Sequence, residues 1–517
     1  MSDAFDRGIT VTEIAAMGQP IDATPETTAA FVGRALRGPL NTPVLIHNFG
    51  DFRRRFGDVW SRSSLGPAVR QFFEHGGKNL YVVRVANNAR GAMICLPANG
   101  SALVLRALEP GSTESVRAAV DYDGIDDGHD ELFNLTLQRI DPQSGLVIDQ
   151  EMYRKLSFVE EADTFVADVL LSSSMVRVEN PYPTHRPEAT MLSHARPGSE
   201  YINHVQDGTD GTELSDYDLV GSHRDGHGLF ALEQVDKFDL LYLPPPGKGV
   251  DVGPTAILAA ERYCRRRGAM LIVDPPRNCT TAEDAVLGVR QQGYASPNML
   301  GYFPRLTSRL EKDAQPRAMG GALAGLLCKL DRTYGPWQDL DEQGLGFRRD
   351  LAPAVHVNDD DGLMLAREGI NVIAPGPAGR ARVMGSMTMA RGSEQQRRLE
   401  NLSVRRLCLS IVNAIEQATR WAVFEQTDKQ LAKRIQSQVF AYLSALVDLG
   451  AFANDRIDVQ CDAGLCKKDD GANHGFSILI AFQPRECSKP ISFTLHQSVE
   501  GFRVASTAFA PVAEDCA

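Results

Sequence analysis

The sequence predicts an α/β core with a parallel-strand βαβ element, an inserted all-β sandwich or barrel module, and an α+β C-terminal domain with extended terminal arms. Three observations predict this architecture. Amphipathic helical patterns alternate with short apolar runs in two separate stretches, as in α/β proteins. Short strand patterns without helices lie between those stretches. Two long amphipathic helical patterns, followed by strand patterns, occupy the last third of the chain.

The composition is that of a globular protein, and it argues against several classes of function. With 517 residues, of which 43% are hydrophobic and 23% charged, the chain is expected to form about three or four folded units. The net charge of −12 argues against general binding of nucleic acid or anionic membranes, since both favour a basic surface. No stretch reaches about 18 uncharged apolar residues, so we expect no membrane insertion. The N-terminus lacks a basic and apolar leader pattern, so we expect no secretion signal and maturation in a cytoplasm.

The first α/β stretch follows a short N-terminal arm. Residues 1–25 contain a strand-like run at 9–14 among small and turn-forming residues. Two short apolar runs then predict buried strands. Residues 65–77 predict a helix, because Pro67 lies in the first turn and two glycines end the pattern. The run at 79–85 predicts the strand that follows.

The α/β pattern stops and later returns. Between residues 87 and 204, short strand patterns alternate with polar turns, which predicts an inserted all-β module. After it, 238–245 predicts a strand, 254–268 a helix capped by Gly268, and 269–276 a second strand. A βαβ unit of this length predicts a parallel pair with a right-handed crossover.

The last third opens with two predicted helices, 405–425 and 428–449, and the second ends at Gly450. Each keeps apolar residues on one face. These residues are Val404, Leu407, Ile411, Ile415 and Trp421 in the first helix, and Leu431, Ile435, Val439, Tyr442, Leu443 and Leu446 in the second.

Strand patterns follow these helices at 476–484 and 491–498. The alternating fragments 9–14 and 501–507 have no obvious partner close by in sequence. Because unpaired strands pair with exposed sheet edges, we expect these two fragments to seek an edge elsewhere.

The motifs that carry catalysis are absent from the sequence. The segment 244–251 lies between a strand and a helix, but it lacks the spacing of a phosphate-binding loop and reads as a Pro/Gly turn. The glycine-rich segment 320–325 has no strand leading into it, and the acidic segment 358–362 lacks the spacing of a calcium loop. The eleven histidines are scattered. We therefore predict no enzymatic activity, no cofactor and no metal, and an α/β enzyme is the alternative that the βαβ unit alone would allow.

The nine cysteines are odd in number and widely spread, which favours free thiols in a reducing compartment. Four of them lie close to the C-terminus: Cys461, Cys466, Cys487 and Cys516. A zinc site built from this group with His474 is disfavoured, because the usual second pair of closely spaced cysteines is missing.

Several segments, in one order along the chain, resemble the tail sheath proteins of contractile-tailed phages and related contractile injection systems. The similar segments are GITVTEI near the N-terminus, 28–57, 68–85, 207–211, 228–244, 367–389 and 402–425. Residues 305–360 depart from the pattern of that family. The inserted β module varies widely in the family and neither supports nor weakens the resemblance.

The resemblance implies a structural subunit rather than an enzyme. Such proteins stack as rings, with six-fold symmetry, into a helical sleeve around a tail tube, and the sleeve contracts on a signal from the baseplate. Contraction drives the tube through a cell envelope for genome ejection. The implied partners are other copies of the chain, the tail tube protein, baseplate proteins and the tail terminator, with no nucleic acid. The implied location is the tail of a virion assembled in the host cytoplasm.

The resemblance also implies a division of the chain and leaves two functional alternatives within the family. The divisions are an N-terminal arm (1–25), the first part of the core (26–86), the inserted β domain (87–204), the second part of the core (205–385), a tube-facing C-terminal domain (386–499) and a C-terminal arm (500–517). The sheath of a headless bacteriocin or of an extracellular injection system is as compatible with the sequence as a phage tail. Another filament-forming protein is a third possibility.

Three sets of residues are candidates for assembly contacts. Strand exchange between copies is expected of the arm residues Ile9, Val11, Ile14, Phe502 and Val504, on a sheet built from 476–498; the alternative is that both arms fold back on their own chain. Contact with an acidic tube is expected of Lys429, Lys433 and Arg434; the alternative is an ordinary solvated helix face. Cys461, Cys466, Cys487 and Cys516 are the candidates for disulfides between subunits in an oxidising environment, with free thiols as the default.

Overall fold

The structure, a computed structural model, describes residues 21–23, 26–126, 128–141, 144–190, 200–247, 249–310, 315–391, 399–425, 429–462, 475–498 and 501–505. Its strands in chain order are β1 (Thr28–Gly33), β2 (Pro43–Ile46), β3 (Asn79–Arg84), β4 (Met93–Ala98), β5 (Ser101–Ala107), β6 (Ser115–Asp121), β7 (Leu132–Ile140), β8 (Val147–Ser157), β9 (Val176–Glu179), β10 (Ile202–Asn203), β11 (Leu240–Tyr242), β12 (Met270–Val273), β13 (Met299–Phe303), β14 (Leu306–Ser308), β15 (Leu351–Pro353), β16 (Ile370–Pro375), β17 (Ala381–Met384), β18 (Asp458–Asp462), β19 (Gly475–Phe482), β20 (Ile491–Ser498) and β21 (Gly501–Ala505). Its α-helices are α1 (Phe49–Phe56), α2 (Leu65–Glu74), α3 (Val166–Val169), α4 (Asp216–Val220), α5 (Pro254–Arg267), α6 (Ala282–Gln292), α7 (Gly320–Tyr334), α8 (Asp359–Arg367), α9 (Leu402–Thr419) and α10 (Lys429–Asp448).

The α/β core is built on one eight-stranded mixed sheet, with the strand order β17-β16-β13-β12-β11-β1-β3-β2. The six inner strands run parallel, while β2 and β17 cover the two edges as antiparallel strands. The predicted βαβ element is β11–α5–β12, in which Leu240 pairs with Met270 in parallel register. β11 is shorter than the predicted strand 238–245, because the prolines at 244–246 have no N–H to donate to a ladder.

Helices cover both faces of this sheet. Successive residues of a strand point to opposite faces. On one face, Phe31 of β1 and Leu240 of β11 join α2 and α7 in an apolar cluster. On the other face, Val32 and Leu241 join α5 in a second cluster. The central strands are therefore buried on both sides, as parallel strands usually are.

Glycines allow α7 to pack close to α2. The segment 320–325, whose glycines do not fit a nucleotide-binding motif, forms the start of α7. A Cβ atom on Gly321 would lie 2.3 Å from the carbonyl oxygen of Ala68, and one on Gly325 would lie 2.3 Å from that of Phe72. Because residues four apart share one face of a helix, the two glycines form a single packing surface.

We expect the substitution Gly321→Ala to lower the free energy of unfolding by about 1–3 kcal/mol, since the added methyl group would push α7 away from α2. The matched control is Gly362→Ala, also inside a helix, where no atom lies within 4 Å of an added Cβ. That control should be neutral or stabilising by up to about 1 kcal/mol. Urea unfolding of both variants makes the comparison, and equal unfolding midpoints would contradict the close packing.

His75, at the end of α2, is buried as a neutral side chain with 4% of its surface exposed. Its Nδ1 lies 2.7 Å from the carbonyl oxygen of Gln71, and its Nε2 accepts a hydrogen bond from the backbone N–H of Arg348 at 3.3 Å. Nδ1 therefore carries the proton. Burial lowers the pKa of His75 below its ordinary value of 6.5, although the hydrogen bond to Gln71 acts in the opposite direction.

The lowered pKa makes this contact sensitive to acid. Between the folded-state pKa and 6.5 the unfolded chain binds more protons at this residue, so stability rises with pH there. The contribution of His75 is complete above pH 6.5 and is lost as the pH falls through the folded-state pKa. We expect the difference in melting temperature between the wild-type protein and His75→Gln to shrink as the pH falls below about 6.5. A difference that does not change with pH would contradict a buried neutral histidine.

The inserted module lies between β3 and β11 of the central sheet. It forms two antiparallel sheets, with the orders β10-β6-β7-β8 and β4-β5-β9. Alternate residues of both sheets share one apolar cluster, which includes Ile94, Leu105, Leu135 and Val176. The inserted module therefore consists of two antiparallel sheets around one shared apolar cluster.

The C-terminal domain contains two helices and the antiparallel sheet β18-β19-β20-β21. Every apolar residue predicted for the second helix is buried: Leu431, Ile435, Val439, Tyr442, Leu443 and Leu446. The first predicted helix, 405–425, is not continuous. It is α-helical over Leu402–Thr419 and continues as a 3₁₀ helix over Arg420–Phe424. The break falls at Thr419, whose hydroxyl oxygen lies 2.7 Å from the carbonyl oxygen of Ile415 and 2.5 Å from the side-chain oxygen of Gln497.

Candidate assembly surfaces

The C-terminal sheet ends in an exposed edge strand. β21 pairs with β20 in antiparallel register, with Val504 opposite Leu495 and Phe502 opposite Gln497. Within the residues that the structure describes, no strand lies beyond β21. Val504 has 46% of its surface exposed. An edge strand of this kind presents N–H and C=O groups to which another extended segment can pair.

The structure corrects one expectation about the pairing of the C-terminal fragment 501–507. The fragment 501–507 was expected to have no partner close by, whereas its residues Gly501–Ala505 pair in antiparallel register with β20 of the same chain. The sequence lacks the Asn-Gly or Asp-Gly pair that usually marks a hairpin turn, so the hairpin signal was missing. Ile9, Val11 and Ile14 lie outside the described residues. Exchange of either arm between copies therefore stays a prediction.

The exposed face of α10 carries the predicted basic residues in two different settings. Lys429 and Lys433 are exposed to solvent. Arg434 is half-buried, lies 3.3 Å from the carboxylate of Glu425 and stacks over the ring of Trp421 at 4.8 Å. Arg434 thus fixes the start of α10 to the 3₁₀ helix before it, and the two lysines are the cations that α10 offers to a partner.

Two exposed aromatic residues that the sequence analysis did not identify lie on the same helical pair. Phe424 has 87% and Phe440 has 49% of its surface exposed. Phe440 lies two helical turns after Lys433 and therefore on the same face of α10. The signal was present in the sequence, since Phe440 falls outside the buried apolar stripe of that helix. Aromatic residues are enriched at protein interfaces relative to the rest of the protein surface.

The C-terminal cysteines occupy partly buried positions where the structure describes them. Cys461 lies in β18, and Cys487 lies between β19 and β20. Burial raises the pKa of the Cys487 thiol, which lowers the fraction of reactive thiolate. Cys466 and Cys516 lie outside the described residues. Bridging between subunits stays a prediction for all four.

A cavity at the carboxyl ends of β11 and β12 is where an α/β enzyme would place its active site. The cavity measures about 300 Å³. Its charged groups already have partners: Arg305 forms an ion pair with Asp251 at 2.5 Å, and Asp274 accepts hydrogen bonds from the Tyr242 hydroxyl and from the first N–H groups of α7. These contacts stabilise the loops, and among the residues described around the cavity no nucleophile lies beside a base.

The acidic segment 358–362 has a structural role in the described part of the chain. Asn358 caps α8 by accepting a hydrogen bond from the N–H of Asp361, and the acidic residues lie in the first helical turn. Negative charge there stabilises the helix dipole. Among the described residues, no three His, Cys, Asp or Glu side chains are grouped so that they could hold a metal ion. Of the helices described, none is both long and apolar enough to span a membrane.

Comparison with solved structures places this fold among contractile sheath proteins. The chain is similar to a sheath tail protein from Listeria innocua, with a TM-score of 0.62 and 15% identity over 93% of this chain and 97% of the other. It is also similar to the contracted helical sheath of the anti-feeding prophage, with a TM-score of 0.54 and 15% identity over 94% and 98% of the two chains. The contracted sheath of an extracellular contractile injection system, PVC, gives a TM-score of 0.52 and 14% identity over 92% and 94%.

The likeness covers nearly the whole of each chain. The protein therefore has the fold of a contractile tail sheath protein. No protein-family model and no curated protein matches the chain.

Proposed function

We propose that the protein is the structural subunit of a contractile sheath, which assembles as a helical sleeve around a tube and contracts to drive that tube through a cell envelope. The observation that carries the proposal is the sheath fold, which spans more than nine-tenths of this chain and of the contracted helical sheaths compared with it. The described residues hold no catalytic constellation at the strand ends where an enzyme of this fold class would need one.

Assembly by strand exchange is the first step of the proposal. The N-terminal arm, through Ile9, Val11 and Ile14, and the C-terminal arm, through Phe502 and Val504, each add a strand to the sheet built on 476–498 of another copy. For the C-terminal arm, this pairing replaces the one that β21 makes with β20 of its own chain. Each backbone hydrogen bond contributes about 0.5–1.5 kcal/mol, so an added strand with about four bonds contributes only a few kcal/mol. Contacts of this strength, repeated on every subunit, keep a lattice connected while its subunits rotate.

Contact with the tube is assigned to the exposed face of α10. α10 carries three basic residues and one acidic residue, Asp448, in a chain with a net charge of −12. This local excess of positive charge suits an acidic partner, and modest charged contacts are reversible. Baseplate proteins and a tail terminator complete the proposed set of partners, at the two ends of the sleeve.

Two kinds of particle are compatible with such a sleeve. A phage tail would eject a genome, whereas a headless bacteriocin or an extracellular injection system would deliver another load. The similarity to two sheaths of injection systems supports the second candidate. Particles purified from the source cells separate them, because only the phage carries a capsid beside the sheath.

Electron microscopy of the full chain, expressed alone and together with its candidate tube protein, tests the proposed function. We expect hollow sleeves with helical striations from the full chain, and a folded protein that forms no long sleeves after deletion of residues 1–15. Only dispersed monomers of the full chain in both expressions would contradict the proposed function. Normal sleeves from the deleted chain would contradict strand exchange by the N-terminal arm and leave the sheath assignment intact.

Charge reversal at Lys433 tests the tube contact. We expect Lys433→Glu to keep the fold, because the residue is exposed, and to weaken tube attachment in a manner that depends on ionic strength. The matched control is Lys489→Glu, an exposed lysine of the same domain between β19 and β20. Co-sedimentation of sleeves with tubes at low and high salt makes the comparison. Equal tube attachment by both variants would contradict a contact between α10 and the tube.

A further inference from the structure

One face of α9 joins the C-terminal domain to the α/β core through polar contacts. Arg406 forms an ion pair with Asp331 of α7, and both side chains are about 95% buried. The neighbouring Arg405 donates a hydrogen bond to the side chain of Asn298 at 2.7 Å. Two turns later, Asn413 donates to the carbonyl oxygen of Gly268 at 3.0 Å. These contacts define the joint between the two units.

Asp331 is almost fully buried, and two protein groups among the described residues donate to its carboxylate. Burial raises its pKa, and Arg406 opposes that effect. Its Oδ1 accepts no hydrogen bond from the described protein groups. Its Oδ2 accepts hydrogen bonds from the guanidinium of Arg406 and from the hydroxyl of Thr27, the latter at 2.5 Å. Because a buried carboxylate depends on every donor it has, the Thr27 hydroxyl is an important part of the joint.

Thr27 belongs to the segment that leads into the central strand β1. Just before it, Ile21 and Ala23 pack against the apolar cluster of the C-terminal domain. Just after it, the N–H of Thr28 donates to the carboxylate of Asp239 at 2.9 Å, at the edge of the core. The same short segment therefore contacts the C-terminal domain, the joint and the core in succession.

We propose that residues 21–23 and 26–28 form a strap that couples the C-terminal domain to the α/β core, with Asp331 as the point at which it is fastened. Three separate contacts support the strap: apolar packing on one unit, a hydrogen bond into the joint and a backbone hydrogen bond on the other unit. The coupling exists in a single chain and goes beyond the proposed function. In a sleeve, a pull on the N-terminal arm would load the joint through the strap before it reaches β1.

Hydrogen exchange of the unassembled chain tests the strap through one hydroxyl group. Thr27→Val keeps the shape of the side chain and removes the donor to Asp331. We expect hydrogen exchange in α9 and α10 to become about tenfold faster. Losing one hydrogen bond to a charged group lowers the free energy of local opening, and the equilibrium constant for opening rises by about that factor. Exchange in α6, on the far side of the core, should not change. Thr27→Ser keeps the hydroxyl and should restore the wild-type rate.

Two further variants separate a strap from a general effect on stability. Thr28→Val makes the same chemical change one residue later, where the hydrogen bond to Asp239 comes from the backbone, and should leave exchange unchanged. Ile21→Ser acts at the other end of the strap and should accelerate α9 and α10 as Thr27→Val does. Unchanged exchange in Thr27→Val, or equal acceleration in α6 and α9, would overturn the proposal. These results are read on monomers, so they are independent of whether sleeves form.

Discussion

The buried ion pair between Asp331 and Arg406 is the contact on which the placement of the C-terminal domain depends. Each charge would cost several kcal/mol to bury alone, and breaking such a pair typically costs about 3–5 kcal/mol. Because neither residue tolerates the loss of the other, α7 and α9 are held in one relative position. The exposed face of α10 and the open edge of β21 belong to the domain that α9 fixes, so the orientation of both candidate assembly surfaces depends on this pair.

The central sheet provides the rigid frame for that pair. Its parallel strands are covered on both faces, and antiparallel β2 and β17 flank them on the two sides. α7, which contributes Asp331, lies against this sheet and approaches α2 at the distance that Gly321 and Gly325 allow. The geometry of the joint therefore depends on Gly321 and Gly325, because a side chain at either position would collide with the backbone of α2. Close packing of α7 against α2 thus fixes the position of the Asp331 carboxylate.

The sequence predicts the elements of this fold better than the contacts between them. The stripe from Leu431 to Leu446 and the βαβ unit follow from periodicity and capping, which are local properties. Asp331 and Arg406 lie 75 positions apart, and each looks like an ordinary charged residue of an amphipathic helix, so the sequence carries no signal for the pair. The hairpin of β21 was missed because its turn lacks the usual residues. Phe440 was visible as an apolar residue off the buried stripe, but its exposure depended on which faces of α10 are covered.

The strengths of these contacts are ordered in the way that the proposed contractile sleeve would require. A change of lattice must break or rotate contacts between subunits while each subunit keeps its shape. The joint combines a buried ion pair with side-chain hydrogen bonds from Arg405 and Asn413, whereas the candidate contacts between subunits are a strand edge and two solvated lysines. Exposed charge pairs contribute about 1 kcal/mol or less and weaken with salt, while buried ones resist separation. In the proposed sleeve, stress would therefore be relieved at these surfaces first, and the proposed strap at Thr27 would transmit the remainder to the joint.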